Sequence, residues 1–258
     1  MSLLKVNSLT KNFGGLAAVS NVNLYLDNNE LVGLIGPNGA GKTTLFNLLT
    51  GVYEPSEGDV LFTRDGKEHR LNGIKPFKIA NMGLSRTFQN IRLFKELTVL
   101  ENVLIAMNGK NPVGVLTGIL RLPKYFKSED VMEKKARELL EIFDLVDKED
   151  SKAKNLSYGE QRRLEIVRAL ATDPKILFLD EPAAGMNPQE TADLTELIKK
   201  IQREFDLTIL LIEHDMSLVM DVCERIYVLE YGQLIAEGKP EEIKTNKRVI
   251  EAYLGGEI

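Results

Sequence analysis

Leu31-Val32-Gly33-Leu34-Ile35-Gly36-Pro37-Asn38-Gly39-Ala40-Gly41-Lys42-Thr43-Thr44-Leu45-Phe46-Asn47-Leu48-Leu49 is the stretch from which the rest of the chain is read. Its first five residues are continuously apolar, as in a strand covered on both faces. Its last five suit a helix. Between them Gly36 to Thr43 fits G-x-x-x-x-G-K-[ST], in the context that spacing requires: strand, glycine-rich loop, helix. Such glycines let backbone N–H groups turn inward around phosphate oxygens, and the helix N-terminus adds the positive end of its dipole. Lys42 is expected to reach β- and γ-phosphates, and the Thr43 hydroxyl to hold Mg²⁺. The alternative is a glycine-rich turn with a surface lysine; average composition makes a chance match in this length roughly one in a hundred.

Further along, Ile176 to Leu179 and Thr208 to Ile212 are two more apolar runs, with a helical pattern from about Pro188 to Glu204 between them. Strand, helix, strand of this kind implies parallel pairing with a right-handed crossover. The first run delivers Asp180-Glu181 at a strand end, where ligands of doubly wound sheets bind. Asp180 is expected to serve Mg²⁺, directly or through water, and Glu181 to polarise water as general base. The alternative is a solvated pair of loop carboxylates. His214, beside Asp215, ends the second run and is a candidate γ-phosphate contact; the alternative is a loop histidine capping the next helix. The other histidine, His69, sits in a polar turn-rich stretch and reads as surface.

Outside this frame, Leu3 to Asn7 and Val22 to Leu26 alternate apolar with polar, as half-exposed antiparallel strands do. Pro55, Gly58, Gly66 and Gly73 punctuate a hairpin-rich segment, and Ile226 to Leu229 with Leu234 to Glu237 flank a Tyr231-Gly232 turn. From about Pro76 to Asn155 the pattern turns helical. Val99, Val103, Leu104 and Met107 fall close to one helix face behind a Thr98/Glu101 cap. Ser128 to Asp147 reads as a helix capped by Ser128, and Asn108 to Phe126 as a loop-bearing insertion.

Composition bounds the class. The chain has 258 residues, 43% hydrophobic and 28% charged, which excludes a largely disordered or collagen-like chain. Its single cysteine, Cys223, excludes an internal disulfide and fits a reducing compartment. A net charge of −5 is not the basic footprint of a nucleic-acid coat. No apolar run approaches the ~20 residues of a spanning helix, and no signal peptide is evident.

These pieces, in this order, resemble the ATP-binding cassette family. The decisive element is Leu156-Ser157-Tyr158-Gly159-Glu160-Gln161, similar to that family's signature and placed before a helix. Local likeness runs to the ATPase subunits of branched-chain amino-acid importers, carried by Phe13 to Val19, Ser85 to Gln89, Leu97 to Val103 and Glu181 to Pro188. The resemblance implies an α/β P-loop NTPase core with a mostly parallel sheet, an N-terminal antiparallel β subdomain and an inserted helical subdomain. The core is expected over 1–88 and 160–258, the helical part over about 89–159. Phe13 matches the adenine-stacking aromatic. Gln89 matches the glutamine linking Mg²⁺ and water to the transport domain. Ser157 and Gly159 match positions that contact the γ-phosphate bound by a second subunit. Nucleotide contacts are further implied at Val19, Asn38, Gly39, Ala40, Gly41, Lys42, Thr43 and Thr44; metal contacts at Thr43, Gln89 and Asp180; catalytic roles at Glu181, His214 and Gln89.

Three positions depart from the family pattern: Tyr158 where glycine is usual, Glu160 where glutamine is usual, and Asn187 for an aspartate. The implied cofactors are ATP and Mg²⁺. The implied partners are integral membrane permease subunits, a second cassette, identical or paralogous, and indirectly a periplasmic or surface binding protein, with no nucleic acid. The expected place is the cytoplasmic face of the cell membrane, as a peripheral subunit. Other cargoes (lipopolysaccharide export, urea or amide uptake) and a soluble cassette acting on DNA or ribosomes are the rival readings. Asn90 to Phe94 either packs inside the helical part or lines a groove for a permease helix.

Overall fold

The computed structural model describes residues 2–108 and 123–254. In chain order it contains β1 (Leu4–Phe13), β2 (Leu16–Leu26), β3 (Leu31–Ile35), α1 (Lys42–Leu49), β4 (Glu57–Arg64), β5 (Lys67–Arg70), α2 (Pro76–Met82), β6 (Leu84–Arg86), α3 (Val99–Asn108), α4 (Pro123–Ile142) and α5 (Tyr158–Leu170). It continues through β7 (Ile176–Asp180), α6 (Pro188–Glu204), β8 (Thr208–Ile212), α7 (Met216–Val222), β9 (Arg225–Glu230), β10 (Gln233–Gly238), α8 (Pro240–Thr245) and α9 (Lys247–Leu254). The chain divides into two units, residues 1–86 with 175–258, and residues 87–174.

The first unit holds a six-stranded sheet of order β10-β9-β3-β8-β7-β6. All its pairings are parallel except the edge strand β10 on β9. β3, β7 and β8 are buried at every position, which is why they read as continuous apolar runs and not as alternations. Leu34 and Asp180 both pair with Ile212. The ends of β3, β7 and β8 therefore lie level on one sheet edge, with β8 in the middle. A four-stranded antiparallel sheet, β2-β1-β4-β5, completes the unit. One core of buried residues runs through both sheets, with Leu4, Val6, Leu9, Phe46, Phe62 and Phe178 among its members. The Phe46 and Phe178 rings meet edge to face at 5.4 Å, seating α1 on β7.

The second unit is built on α3, α4 and α5. Thr98 and Glu101 form the expected cap: the Thr98 N–H donates to Glu101 Oε2 at 2.7 Å, and the Glu101 N–H to Thr98 Oγ1 at 3.1 Å. Val99, Val103 and Met107 are buried as one face. α4 departs from expectation at both ends. The described part of the helix already runs from Pro123, so Ser128 lies inside it and not at its start. It stops at Ile142, short of Asp147, because Asp144 takes a left-handed backbone (φ 55°). The rest of the loop expected over Asn108 to Phe126 lies outside the described residues. The expected boundary near residue 159 falls instead after Pro174, because α5 packs on α3 and α4.

Candidate functional site

The loop from Gly36 to Gly41 is shaped by backbone too close for side chains. A Cβ on Gly36 (φ 153°) would meet the Leu229 carbonyl oxygen at 2.0 Å, and one on Gly41 (φ 101°) the Ala18 carbonyl oxygen at 2.5 Å. The β9–β10 turn braces the loop, with the Gly232 N–H donating to the Ala40 carbonyl at 2.8 Å. Ala40 is buried, whereas Asn38, Gly39 and Thr43 are exposed and Thr44 half-buried. Lys42 is buried, and its ammonium donates to the Gly36 and Pro37 carbonyls at 2.6 and 3.0 Å. Burial pushes the Lys42 pKa down, and the nearby Glu181 charge opposes that. Val19 is wholly buried and belongs to the hydrophobic core.

The strand ends beside this loop carry the acids. Asp180 is buried and pairs with Arg86 at 3.0 Å. The same guanidinium donates to Asn47 Oδ1 and Thr50 Oγ1 at 2.8 and 3.0 Å. Arg86 thus ties the acid at the end of β7 to the far end of α1. The Glu181 N–H donates to the Ile212 carbonyl at 2.9 Å. Glu181 Oε1 lies 2.7 Å from His214 Nε2. Asp215, not His214, caps α7, accepting from the Ser217 and Leu218 amides at 2.9 and 3.3 Å. The His214 side chain is left facing the carboxylate. Phe13, at the end of β1, is 44% exposed. Its ring is met by the Tyr53 ring at 5.4 Å and by Lys11 Nζ at 5.2 Å.

Lys42, Asp180, Glu181 and His214 thus belong to one unit and one sheet edge. Gln89, Ser157 and Gly159 belong to the other unit. There Ser157 begins α5 with a capping box, accepting from the Glu160 N–H at 3.4 Å while its own N–H donates to Glu160 Oε2 at 2.9 Å. Glu160 also pairs with Lys148, and that hydrogen bond foremost holds its carboxyl below the usual range. The departure from glutamine is therefore absorbed locally, by a carboxylate turned back onto its own helix start. Asn187 has the same explanation: it caps α6, accepting from the Glu190 N–H at 3.0 Å. Gln89 is exposed, but its backbone is held. The wholly buried guanidinium of Arg162 donates to the Phe88 and Gln89 carbonyls at 2.7 and 2.9 Å and to Glu165 at 2.8 Å. Glu165 in turn accepts from the Phe88 and Arg92 amides, both at 3.3 Å.

Arg86, Arg162, Glu165 and Glu213 were not singled out from the sequence as site residues. Opposite charges three apart on a helix, as at 162 and 165, ordinarily mark a solvated face. Periodicity gave no signal for them: at 100° per residue Arg162 and Glu165 lie away from the face of Leu164, Val167 and Ala171, and they are buried because this helix is covered on more than one side.

A family model described as ABC transporter matches residues 19–184. The chain belongs to the ABC transporter family, as its ATP-hydrolysing cassette. A second model, described as branched-chain amino acid ATP-binding cassette transporter, matches residues 233–258 of the cassette. The cassette is 50% identical over 253 residues to the high-affinity branched-chain amino acid transport ATP-binding protein LivG of Escherichia coli K12, covering 98% of each chain. It is 49% identical over 253 residues to BraF of Pseudomonas aeruginosa, a protein of the same description, again covering 98% of each. A solved ATP-binding cassette of an ABC transporter in its ADP conformation superposes with a TM-score of 0.84 at 33% identity, over 99% of each chain.

Proposed function

We propose that this cassette powers the uptake of branched-chain amino acids through a membrane permease, hydrolysing Mg-ATP at the shared edge of β3, β7 and β8. The observation that carries the chemistry is the 2.7 Å contact between Glu181 and His214 beside the phosphate loop. The cargo rests on likeness along nearly the whole chain to importer subunits of that description.

The donor set fits a magnesium nucleotide. A buried ammonium, Lys42, sits among loop amides beside the exposed Thr43 hydroxyl at a helix N-terminus. Among the described residues no group of three or more His, Cys, Asp or Glu could form a metal cage. Mg²⁺ that arrives on phosphates needs only one or two protein ligands, and Thr43 and Asp180 would supply them. An ion held there would supply charge neutralisation for the phosphate oxygens. Lys42 moves from its own loop carbonyls to the β- and γ-phosphates. The loop amides bind the oxygens, and the partly exposed Phe13 ring stacks on the adenine. Glu181 accepts a proton from the attacking water, and His214 orients that carboxylate and meets the γ-phosphate.

Two cassettes, identical or paralogous, close head to tail, each site completed by Ser157 and Gly159 of its partner. No described helix is long and apolar enough to cross a membrane, which suits a subunit docked peripherally on the cytoplasmic face. In segment 90–94, Ile91 and Leu93 are half-buried and Phe94 is 46% exposed. Part of the segment is thus available to take a permease helix.

The test is uptake by the cassette reconstituted in vesicles with permease subunits and binding protein. ATP-dependent accumulation of leucine, isoleucine or valine, lost in Glu181→Gln, is the expected result. ATP hydrolysis driven by a different cargo would keep the ATPase and reject the amino acid. Phe94→Asp is expected to leave ATP binding intact and to break co-purification with the permease; unchanged assembly would reject the docking segment.

A further inference from the structure

Glu213 is 4% exposed and follows the last residue of β8. Burying a carboxylate is costly unless its oxygens are satisfied. Here they are satisfied by backbone. Oε1 accepts from the Ala183 N–H at 2.7 Å and Oε2 from the His214 N–H at 3.0 Å, and the Asp215 amide also bonds the group. Burial drives the Glu213 pKa up, the three amides oppose that, and the Glu181 charge adds to the rise. The carboxylate thus sits at a charge-repelling place, next to the proposed base, where those amides hold it.

Those amides belong to both loops of the proposed reaction. Ala183 is two residues past Glu181 in a turn closed by the Ala184 N–H on the Glu181 carbonyl at 3.2 Å. Glu181 itself takes a left-handed backbone, φ 47°. A non-glycine residue in that region is strained and persists only where its surroundings over-determine it. The surroundings are visible on both sides of Glu181: its own N–H on the Ile212 carbonyl, and the Ala183 N–H on Glu213. The same carboxylate fixes the His214 backbone. One buried group therefore sets the spacing from which the Glu181–His214 contact is made.

We infer that Glu213 is a positioning residue: by gathering the amides of Ala183 and His214 on one carboxylate, it holds Glu181 in its strained backbone and aligned with His214. The inference rests on the reading of Glu181 as base and His214 as its orienting partner. An acceptor-only group with two oxygens is required. An amide has one oxygen, and its NH₂ would face a backbone N–H, donor against donor.

The experiment compares steady-state Mg-ATP hydrolysis and ATP binding in purified wild type, Glu213→Gln, His214→Ala and their double variant. Glu213→Gln is expected to lower kcat at least about tenfold while the ATP dissociation constant stays within about twofold, since the lost interaction acts on chemistry and not on binding. The double variant is expected to hydrolyse no more slowly than His214→Ala alone, because the two residues act through one contact. An unchanged kcat, a dissociation constant that worsens in step with kcat, or losses that multiply in the double variant would each overturn the inference. So would failure of both Glu213→Gln and Glu213→Ala to give folded protein by thermal unfolding, which would make Glu213 a residue of the core alone. Glu181→Gln separates the two claims: wild-type hydrolysis in that variant rejects the base, whatever Glu213 does.

Discussion

The phosphate loop, 36–43, and the segment 88–92 are both short irregular stretches that must keep their shape, and they are held in opposite ways. The phosphate loop is braced from behind by backbone, through the close approach of Leu229 to Gly36 and of Ala18 to Gly41 and the Gly232 amide on Ala40, and its own Lys42 turns inward onto the Gly36 and Pro37 carbonyls. The segment 88–92 is held by side chains, Arg162 and Glu165 of α5, which grip its carbonyls and amides. A loop braced from behind by backbone keeps its remaining amides for an anion. A loop gripped by a buried ion pair instead follows the helix that carries the pair. That helix starts at the signature, Ser157 to Gly159. Whatever displaces the signature displaces the backbone of Gln89 with it.

That contrast breaks most readily at Arg162. Arg162→Met leaves Glu165 buried without its cation, so a loss of about 3–5 kcal/mol in chemical denaturation is expected. Adding Glu165→Gln is expected to recover part of it, because the uncompensated charge is gone. A change within about 0.5 kcal/mol in the single variant, the usual range for surface positions, would mean that the pair does not hold the segment. Lys42→Ala is next. It is expected to weaken Mg-ATP binding by about 2–5 kcal/mol, as when one partner of a buried charge contact is removed. Its unfolding midpoint should move less than that of Arg162→Met, since the variant removes two hydrogen bonds to loop carbonyls but leaves the backbone bracing from Leu229, Ala18 and Gly232 in place. Isothermal titration beside thermal unfolding reads both. Phe13→Ala is expected to cost about 1–3 kcal/mol in nucleotide affinity if adenine stacks on the ring, with no change in stability.

The smallest effect belongs to Glu160→Gln, which restores the usual family residue. It loses the exposed pair with Lys148, worth about 0.5 kcal/mol or less. The sign with pH is fixed. Glu160 is held below its unfolded pKa, so its contribution is present above the ordinary carboxylate range and fades as pH falls through the lowered value. Wild type and variant should therefore converge in acid and differ only at higher pH, a difference read from denaturation midpoints at two pH values.

The same contrast governs what was legible in the sequence. A site made of backbone needs glycine at fixed places, so Gly36 and Gly41 announced the phosphate loop by spacing alone. The buried parallel strands announced themselves by continuous apolarity, and the strand-end positions of Asp180, Glu181 and His214 followed from them. Sites held by side chains left no such trace. Arg86, Arg162, Glu165 and Glu213 are charged residues that composition assigns to the surface, and only tertiary pairing makes them internal. The boundary near residue 159 was misplaced because the signature begins a helix whose partners, α3 and α4, lie before it in the chain. Ser128 was misread as a helix start because a polar residue before an acidic turn resembles a cap even when it lies within a helix.

The most direct test of the account is single-turnover hydrolysis by Glu181→Gln, mixed in excess with Mg-ATP, following phosphate release and, by light scattering, the mass of the protein. With Lys42 and the loop intact, the variant is expected to keep its ATP, to release phosphate about 10²–10⁴ times more slowly than wild type, as when a general base is removed, and to gather as an ATP-bound pair. Phosphate release at the wild-type rate would contradict the assignment of the chemistry to the carboxylate at the end of β7.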